Sequence, residues 1–392
     1  MILDTSRIMR FAHIADCHLG AWGSHPELRE LPLRAFATAV DKIINERLDF
    51  VLLAGDFFDS SMPAVDVLRF ATRQLMRLKG AGIPVYAIAG SHDYSPTGKT
   101  MLGVLEEADL LKNAHMKWVE DKSGARIFGV EGLKGGLDRE YFENVNSSLS
   151  NSERANYNIL MLHTAVDEIS GMKGVPLNSL PKGFDYYAAG HVHMPAQQAH
   201  GKGVVIFPGP LFPTEFSELE KLGSGSFCIA DASDGVTNVE TELLKLADVV
   251  VVQINCNGKM PHQIESEFLN ELGKLDAGGT IVLLKANGML ASGKPTDINW
   301  NTITERAQSV GALAVKRSVH LSVKEVELTK SAEASGGLEQ IEKSVVEENA
   351  GTDYEKVRKM MDVFSIEKAE DEKNAVYEEK IRAGMKKVMG LI

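Results

Sequence analysis

Phe11-Ala12-His13-Ile14-Ala15-Asp16-Cys17-His18-Leu19-Gly20 is the stretch on which the fold turns. Its apolar start predicts a strand over residues 9–15, and the strand runs directly into an Asp-x-His pair. Residues i and i+2 at a strand end can face the same way, so Asp16 and His18 can offer a carboxylate and an imidazole to one cation. Cys17 between them should point away and serve as buried filler. An Asp-x-His pair is common by chance, and its weight comes from what surrounds it.

The same design recurs along the chain. The apolar run 50–53 is followed by Gly55-Asp56, where glycine lets the backbone turn and the carboxylate could bridge two ions. The run 83–89 leads into Gly90-Ser91-His92-Asp93, the run 159–162 into His163, and the run 186–189 into Gly190-His191-Val192-His193. The His-x-His pair is the most specific of these, since two imidazoles on one side of an extended segment suit a transition metal. Each motif alone could be a solvated loop. Five polar groups that each close an apolar strand, in an order one sheet edge can gather, point to a dinuclear site with mixed Asp and His ligands, suited to Mn²⁺ or a similar ion.

Between the motifs, strand-sized runs alternate with helical spacing over 31–47, 65–79 and 99–111, and further strands are expected at 125–130 and 204–207. This alternation predicts an α/β layered domain from residue 9 to about 232. Composition shifts near Val236, after which 249–255, 264–275, 280–285, 300–310 and 314–323 read as strand, helix, strand, helix, strand in a second small α/β domain. Residues 331–337 are small, polar and glycine-rich, as a linker would be. Beyond them the chain turns charged and helical. Leu338, Ile341 and Val345 form one apolar stripe, Val357, Met360, Met361 and Phe364 the next, and Tyr377, Ile381, Met385 and Val388 a third. The expected division is therefore 8–235, 236–330, a linker at 331–337, and a helical segment at 338–392.

The 392 residues carry 42 Lys and Arg against 54 Asp and Glu, a net charge of −12, which argues against a protein that coats nucleic acid through a basic surface. A nuclease stays open, because bound divalent cations can supply local positive charge. Cys17, Cys228 and Cys256 show no CxxC spacing, so neither a disulfide framework nor a structural zinc site is expected. No apolar run approaches the roughly 20 residues a membrane span needs, and residues 1–11 lack the layout of a secretion signal; a cytoplasmic protein is expected.

Taken together, Asp16-x-His18, Gly55-Asp56, Gly90-x-His92-Asp93, His163 and Gly190-His191-x-His193 resemble the calcineurin-like metallophosphoesterase signature, covering residue 9 to about 216. The opening stretch and Gly55-Asp56-Phe57-Phe58-Asp59-Ser60 are similar to the SbcD-like DNA repair nucleases, which work with an SbcC-like coiled-coil ABC ATPase. That resemblance implies a β-sandwich flanked by helices, a small α/β capping domain and a helical tail that binds the ATPase. It implies two Mn²⁺ ions, one held by Asp16, His18, Asp56 and His193, the other by Asp56, Ser91, His163 and His191. His92 is implied as the residue that stabilises the transition state or protonates the leaving 3′ oxygen. The implied activity is a 3′–5′ double-strand exonuclease and single-strand endonuclease acting on DNA ends, as a homodimer.

Two positions depart from the pattern. Ser91 stands where the family usually has asparagine, and its shorter hydroxyl is a poorer ligand, which puts the second ion in doubt. Asp59 stands where some relatives have histidine, which leaves the balance of exonuclease and endonuclease action open. Two rival readings therefore remain: a stand-alone phosphatase or cyclic-nucleotide phosphodiesterase on the same fold, and a scaffold that holds DNA ends without cutting. His13 is expected to pack or to support the site; His25, His115, His200, His262 and His320 are assigned to loops or surfaces, with only His25 near a site loop. Pro208-Gly209-Pro210 is either a rim of the site or a plain turn. Leu68, Leu75, Leu102 and Leu105 are either core or a homodimer contact. The apolar tail stripes suit a partner groove or packing on the chain's own domain.

Overall fold

A computed structural model describes residues 9–95, 100–132, 142, 145, 157–233, 236–323, 354–366 and 374–389. Residues 1–323 form one compact unit and 324–392 a second.

The first unit is built on two six-stranded sheets. In the first, β1 (Met9–Ile14), β2 (Phe50–Ala54), β3 (Val85–Ile88) and the short β4 (Lys112–Asn113) run parallel. On the other side of β1 lie β11 (Gly225–Ser233) and β12 (Val236–Leu244), both antiparallel to their neighbours. The second sheet has the order β5 (Trp118–Glu120), β6 (Ala125–Val130), β7 (Tyr157–His163), β8 (Tyr186–Gly190), β10 (Gly203–Phe207), β9 (Ala196–His200), with β6, β7, β8 and β10 parallel. Strands buried on both faces read as continuous apolar runs, which is why 50–54 and 157–163 show no alternation. The sheets meet face to face over Phe11, Phe50, Leu52, Tyr86, Ile159, Met161 and Tyr186, with the Phe11 and Phe50 rings stacked at 4.9 Å.

Helices cover the outer face of the first sheet. In α1 (Glu30–Glu46), Leu31, Ala35, Phe36, Ala39, Val40 and Ile43 form the buried stripe, and the helix ends where Arg47 turns left-handed, with φ 55°. Beside it, α2 (Val65–Gly80) buries Val67, Ala71, Leu75 and Leu78. The expected helix at 99–111 covers only Met101–Glu107 (α3): Thr100 caps it through a bond from the Gly103 amide, and Asp109, with φ 55°, closes it before β4. Residue 99 lies outside the described residues. Leu75, Leu102 and Leu105 are core and Leu68 packs beside them, while Met62, Val65, Met76 and Val104 face outward.

The composition shift at Val236 falls inside this architecture. β12, which the expected division assigned to the second domain, pairs along β11 as the edge of the first sheet, because strand pairing outlasts the change in composition. The small α/β module begins at β13 (Val249–Asn255) and continues through α5 (Pro261–Gly273), β14 (Ile281–Leu290), α6 (Trp300–Ser309) and β15 (Ala314–Val323), a three-stranded parallel sheet. Ile264, Phe268, Leu272, Ile303 and Ala307 close one face of that sheet. From the other face, Ile281, Leu283 and Ala314 join Leu211, Phe212 and Leu219 of the larger module. Lys316 reinforces this junction, lying 4.8 Å from the Trp22 ring and 2.8 Å from His25 Nε2.

In the second unit, α7 (Tyr354–Phe364) and α8 (Asn374–Val388) pack on each other, and the Tyr377 hydroxyl donates to the Ile366 carbonyl at 3.0 Å. Val357, Met360, Tyr377, Ile381, Met385 and Val388 are half-buried, while Met361 and Phe364 are exposed. The expected linker and the stripe Leu338, Ile341, Val345 lie outside the described residues. Among the described residues no helix is long and apolar enough to cross a membrane.

Candidate metal centre

Five parallel strands release their chemistry at one end. Asp16 and His18 follow β1, Asp56 follows β2, Ser91 and His92 follow β3, His163 ends β7, and His191 and His193 follow β8. The backbone is contorted there: Asp16, His18, Asp56 and His191 all have positive φ, at 50°, 41°, 48° and 85°. Non-glycine residues rarely adopt that region, and such strain clusters where side chains must be aimed. The loops hold one another in place. The Asp16 amide donates to the Gly55 carbonyl at 3.1 Å and the His18 amide to the Asp56 carbonyl at 3.0 Å. Across the sheets, the His191 amide donates to the Asp16 carboxylate at 3.0 Å.

Two groups of expected ligands result, and a third cluster overlaps them. Asp16, His18 and His193 present donor atoms within 4.8 Å of one another, so do Asp56, His163 and His191, and so do His18, Asp59 and His92. Asp56 stands between the first two, its Oδ2 3.1 Å from His163 Nε2 and 3.8 Å from His18 Nε2, while the His92 amide donates to Oδ1 at 2.7 Å. Ser91 Oγ lies 3.4 Å from Asp56 Oδ2. All seven residues expected as ligands therefore meet in one place, with His92 beside them. His18, Asp56, Ser91, His92, His191 and His193 line a cleft of about 290 Å³ with Trp22, Asp59 and Thr214, while Asp16 and His163 are buried away from its wall. Larger cavities, of about 480 and 590 Å³, lie near Ile83 at the start of β3 and gather no comparable ligands.

The donor set fits a cation. His163 Nδ1–H donates to the Ala54 carbonyl at 2.8 Å, which turns the buried Nε2 towards Asp56 Oδ2, 3.1 Å away. His18 Nε2 and His193 Nε2 approach to 3.2 Å, and His193 Nδ1 is already engaged by Glu218. Buried nitrogens and carboxylates turned on a common point are what divalent ions satisfy.

The carboxylates draw positive charge to this point, a proton or a metal cation alike. Burial disfavours a charge on His163, yet Asp56 and Asp16 outweigh it and push its pKa up to about 9. Burial likewise opposes the Asp56 charge, but His163, His18 and the His92 amide hold its carboxyl well below the usual range. Burial and the neighbouring His163 lower His191, keeping it a neutral ring. His193 moves the other way: burial lowers it, and the Glu218 and Asp16 carboxylates more than restore it.

Glycines at the strand ends are required by close approach. A Cβ on Gly55 would enter the His163 ring, one on Gly90 would meet Asp56, and one on Gly190 would meet the Ala54 carbonyl. Cys17 is buried in the core behind the site as expected, and burial together with Asp16, Asp93 and Asp56 pushes its thiol up. Leu211, just after Pro208-Gly209-Pro210, donates its amide to the Asp16 carbonyl at 3.2 Å, so that turn supports a ligand loop. His13 is fully buried between the sheets, 3.0 Å from the Tyr186 hydroxyl, and is a packing residue. His200, expected at a surface, is instead buried against the Tyr187 ring with Nε2 3.3 Å from the Leu180 carbonyl, because the edge strand β9 turns its last residue inward.

Two functional neighbours carried little or no sequence signal. Asp59 Oδ1 lies 3.3 Å from His18 Nδ1, and the Asp59 carbonyl accepts from His92 Nδ1–H at 2.8 Å. Glu218, remote from every motif, bonds His193.

A model of the calcineurin-like phosphoesterase family matches residues 9–195. The chain is 31% identical over 259 residues to the DNA double-strand break repair protein Mre11 of Saccharolobus solfataricus, covering 63% of this chain and 67% of that one. It is 31% identical over 242 residues to the protein of the same name from Methanococcus maripaludis, covering 57% and 63%. Among solved structures, a dimetal phosphatase from Danio rerio aligns with a TM-score of 0.42 at 12% identity, over 61% of this chain and 97% of that one. The chain spans about two thirds of the length of the Mre11 proteins it matches. With the β-sandwich and its strand-end carboxylates and imidazoles in view, the chain belongs to the calcineurin-like phosphoesterases, a family of metal-dependent hydrolases, and within it to the Mre11-like branch.

Proposed function

We propose that this protein is a Mn²⁺-dependent nuclease of DNA double-strand-break repair, which trims duplex ends in the 3′–5′ direction and nicks single strands. The observation that carries the reading is Asp56: its carboxylate belongs to the group of His163 and His191, with Oδ2 3.1 Å from His163 Nε2, and lies 3.8 Å from His18 Nε2 of the other group, to which it would add a fourth ligand. Asp16, His18, Asp56 and His193 would hold one ion, and Asp56, Ser91, His163 and His191 the other. The pair would activate a water for in-line attack and offset charge on the phosphoryl oxygens. His92 is the proton donor in this scheme. Its Nδ1–H is fixed on the Asp59 carbonyl at 2.8 Å, so Nε2 is left to face the leaving oxygen. Mre11 proteins, to which the chain is similar, are named for double-strand break repair, and this supports DNA as the substrate.

The module at 249–323 would act as the cap that shapes DNA access, and the α7–α8 hairpin, with Met361 and Phe364 exposed, as the dock for a coiled-coil ABC ATPase. The outward Met62, Val65, Met76 and Val104, rather than the buried leucines of α2 and α3, would make the homodimer contact.

The test compares linear duplex DNA with bis-p-nitrophenyl phosphate, both with Mn²⁺. Release of nucleotides from duplex ends is expected, with only slow turnover of the small diester. Efficient hydrolysis of the small diester with intact DNA would establish a general phosphodiesterase instead, and DNA binding without any cutting a scaffold.

A further inference from the structure

We propose that Glu218 is the positioning residue of the metal centre: its carboxylate fixes the tautomer and ring orientation of His193, and through that ring sets how tightly the Asp16, His18, His193 group takes its divalent cation. This rests on the reading of the site as a metal centre.

The geometry is direct. Glu218 sits in the first turn of the short helix Phe216–Leu222, and its Oε1 accepts from His193 Nδ1–H at 2.6 Å. Its other oxygen accepts the Thr214 amide at 2.7 Å and the Thr214 hydroxyl at 3.1 Å. Both ends of the carboxylate are thus tied, and the side chain is only 15% exposed, so the group that orients the ring is itself oriented. The helix beneath it is anchored as well. Leu219 is buried in the core, and on the next turn Glu220 pairs with Lys285 of β14 at 2.6 Å.

His193 is treated differently from its neighbours. His163 and His92 each rest Nδ1–H on a backbone carbonyl, of Ala54 and Asp59 respectively. A carboxylate acceptor makes the stronger, charge-assisted bond and leaves the far nitrogen more basic, which strengthens it as a ligand. His193 is also the more exposed ring, at 21% against none for His163. Packing and the Ala54 carbonyl hold His163, whereas His193 at the cleft wall is held by the Glu218 carboxylate.

A purely structural role for Glu218, closing the turn at Thr214, makes a different prediction, and metal binding separates the two. Mn²⁺ would be titrated calorimetrically into the wild type, Glu218→Gln and Glu220→Gln, and the visible spectrum of each Co²⁺-loaded protein recorded. Gln at 218 keeps the length and removes the charge; Gln at 220 loosens the helix mount and leaves the brace intact. The expected result is one of two ions weakened 10- to 100-fold in Glu218→Gln, with a shifted Co²⁺ spectrum, unchanged melting temperature, and wild-type binding in Glu220→Gln. Wild-type affinity and spectrum in Glu218→Gln would overturn the proposal, as would an equal loss in Glu220→Gln. Should Glu218→Gln melt early, Thr214→Val removes one of the two bonds to the far oxygen without touching the charge; a smaller loss of the same ion is then expected, and no loss overturns the proposal. A wild type that binds no Mn²⁺ would sink the metal-centre reading itself, an outcome distinct from a two-ion wild type matched by its variant.

Discussion

Asp93 reaches from one motif loop into another: its Oδ1 accepts the Phe58 amide at 2.9 Å, while Oδ2 takes the Phe57 amide at 3.0 Å and the Gly90 amide at 3.1 Å. The turns that carry Asp56 and His92 are fastened to each other by this one buried side chain. Asp93→Ala would strand three amides away from water, and a loss of roughly 3 kcal/mol is expected in urea unfolding, with weaker Mn²⁺ binding beside it. Its pH dependence is specific. Burial pushes the Asp93 carboxyl up to about 6, with the Asp56 charge adding to this and the amides pulling against it. In the metal-free protein the folded state then holds this proton more tightly than the unfolded chain does. The contribution of Asp93 is present below about pH 4 and lost as pH rises through 6, so the wild type should gain on Asp93→Asn by about 1.4 kcal/mol per pH unit on acidification through that window.

His13 works in the opposite sense. Burial lowers it to about 3, so the folded protein refuses a proton that the unfolded chain accepts below about pH 6.5. Stability from this group is complete above 6.5 and falls as pH drops towards 3. At pH 5 the wild type should have lost about 2 kcal/mol relative to pH 7 from His13 alone, and His13→Gln, which keeps a partner for the Tyr186 hydroxyl, should lose less. Urea midpoints at the two pH values decide it, and equal losses in both proteins would remove His13 from the account.

Much of the site was legible because the chemistry of a strand end is local. Asp16, Asp56, His163 and His191 each close an apolar run, but where one sheet edge was expected to gather them, two facing sheets do: β1 and β2 in the first, β7 and β8 in the second. Other features depend on what meets in space. Glu218 lies 25 positions from His193, and nothing in Phe216-Ser217-Glu218-Leu219 marks it as anything but an exposed acidic turn. The composition shift at 236 has a related reason: Val236–Leu244 is a half-exposed edge strand with a polar outer face, and only its pairing with β11 ties it to the first sheet. His200 hides in the same way, at the end of a strand whose other residues face water.

Gly90 tests how tightly the bridge is packed. Any side chain there meets the Asp56 carboxylate and amide, so Gly90→Ala must displace the group proposed to bridge the two ligand sets. A stability loss of about 1–3 kcal/mol is expected from overpacking, together with a fall in bound Mn²⁺ from two ions towards one or none, read by calorimetry. A variant that kept both ions would show that Asp56 does not bridge.

Ser91 invites the reverse experiment. Its hydroxyl ends 3.4 Å from Asp56 Oδ2, and asparagine at the same position would extend a carbonyl oxygen into the space beside His163 and His191. Ser91→Asn should tighten the weaker of the two Mn²⁺ ions about tenfold, close to 1.4 kcal/mol, and lower the Mn²⁺ concentration at half-maximal cleavage. Unchanged or weaker binding would mean that the serine already serves the ion directly.

His92 separates chemistry from architecture, because its backbone and its ring do different work. The amide holds Asp56 Oδ1 at 2.7 Å and survives any substitution except proline, whereas the ring touches the rest of the site mainly through Nδ1–H on the Asp59 carbonyl and an edge contact with His18. His92→Ala should therefore bind both Mn²⁺ ions and duplex DNA as the wild type does. If the ring delivers a proton to the leaving oxygen, the turnover rate should fall by about 10²- to 10⁴-fold with little change in DNA affinity. The defect should shrink on a substrate whose leaving group needs no proton, such as a p-nitrophenyl ester. An equal loss on both substrates would place the ring in charge stabilisation rather than proton transfer, and a loss of Mn²⁺ binding would make it a ligand.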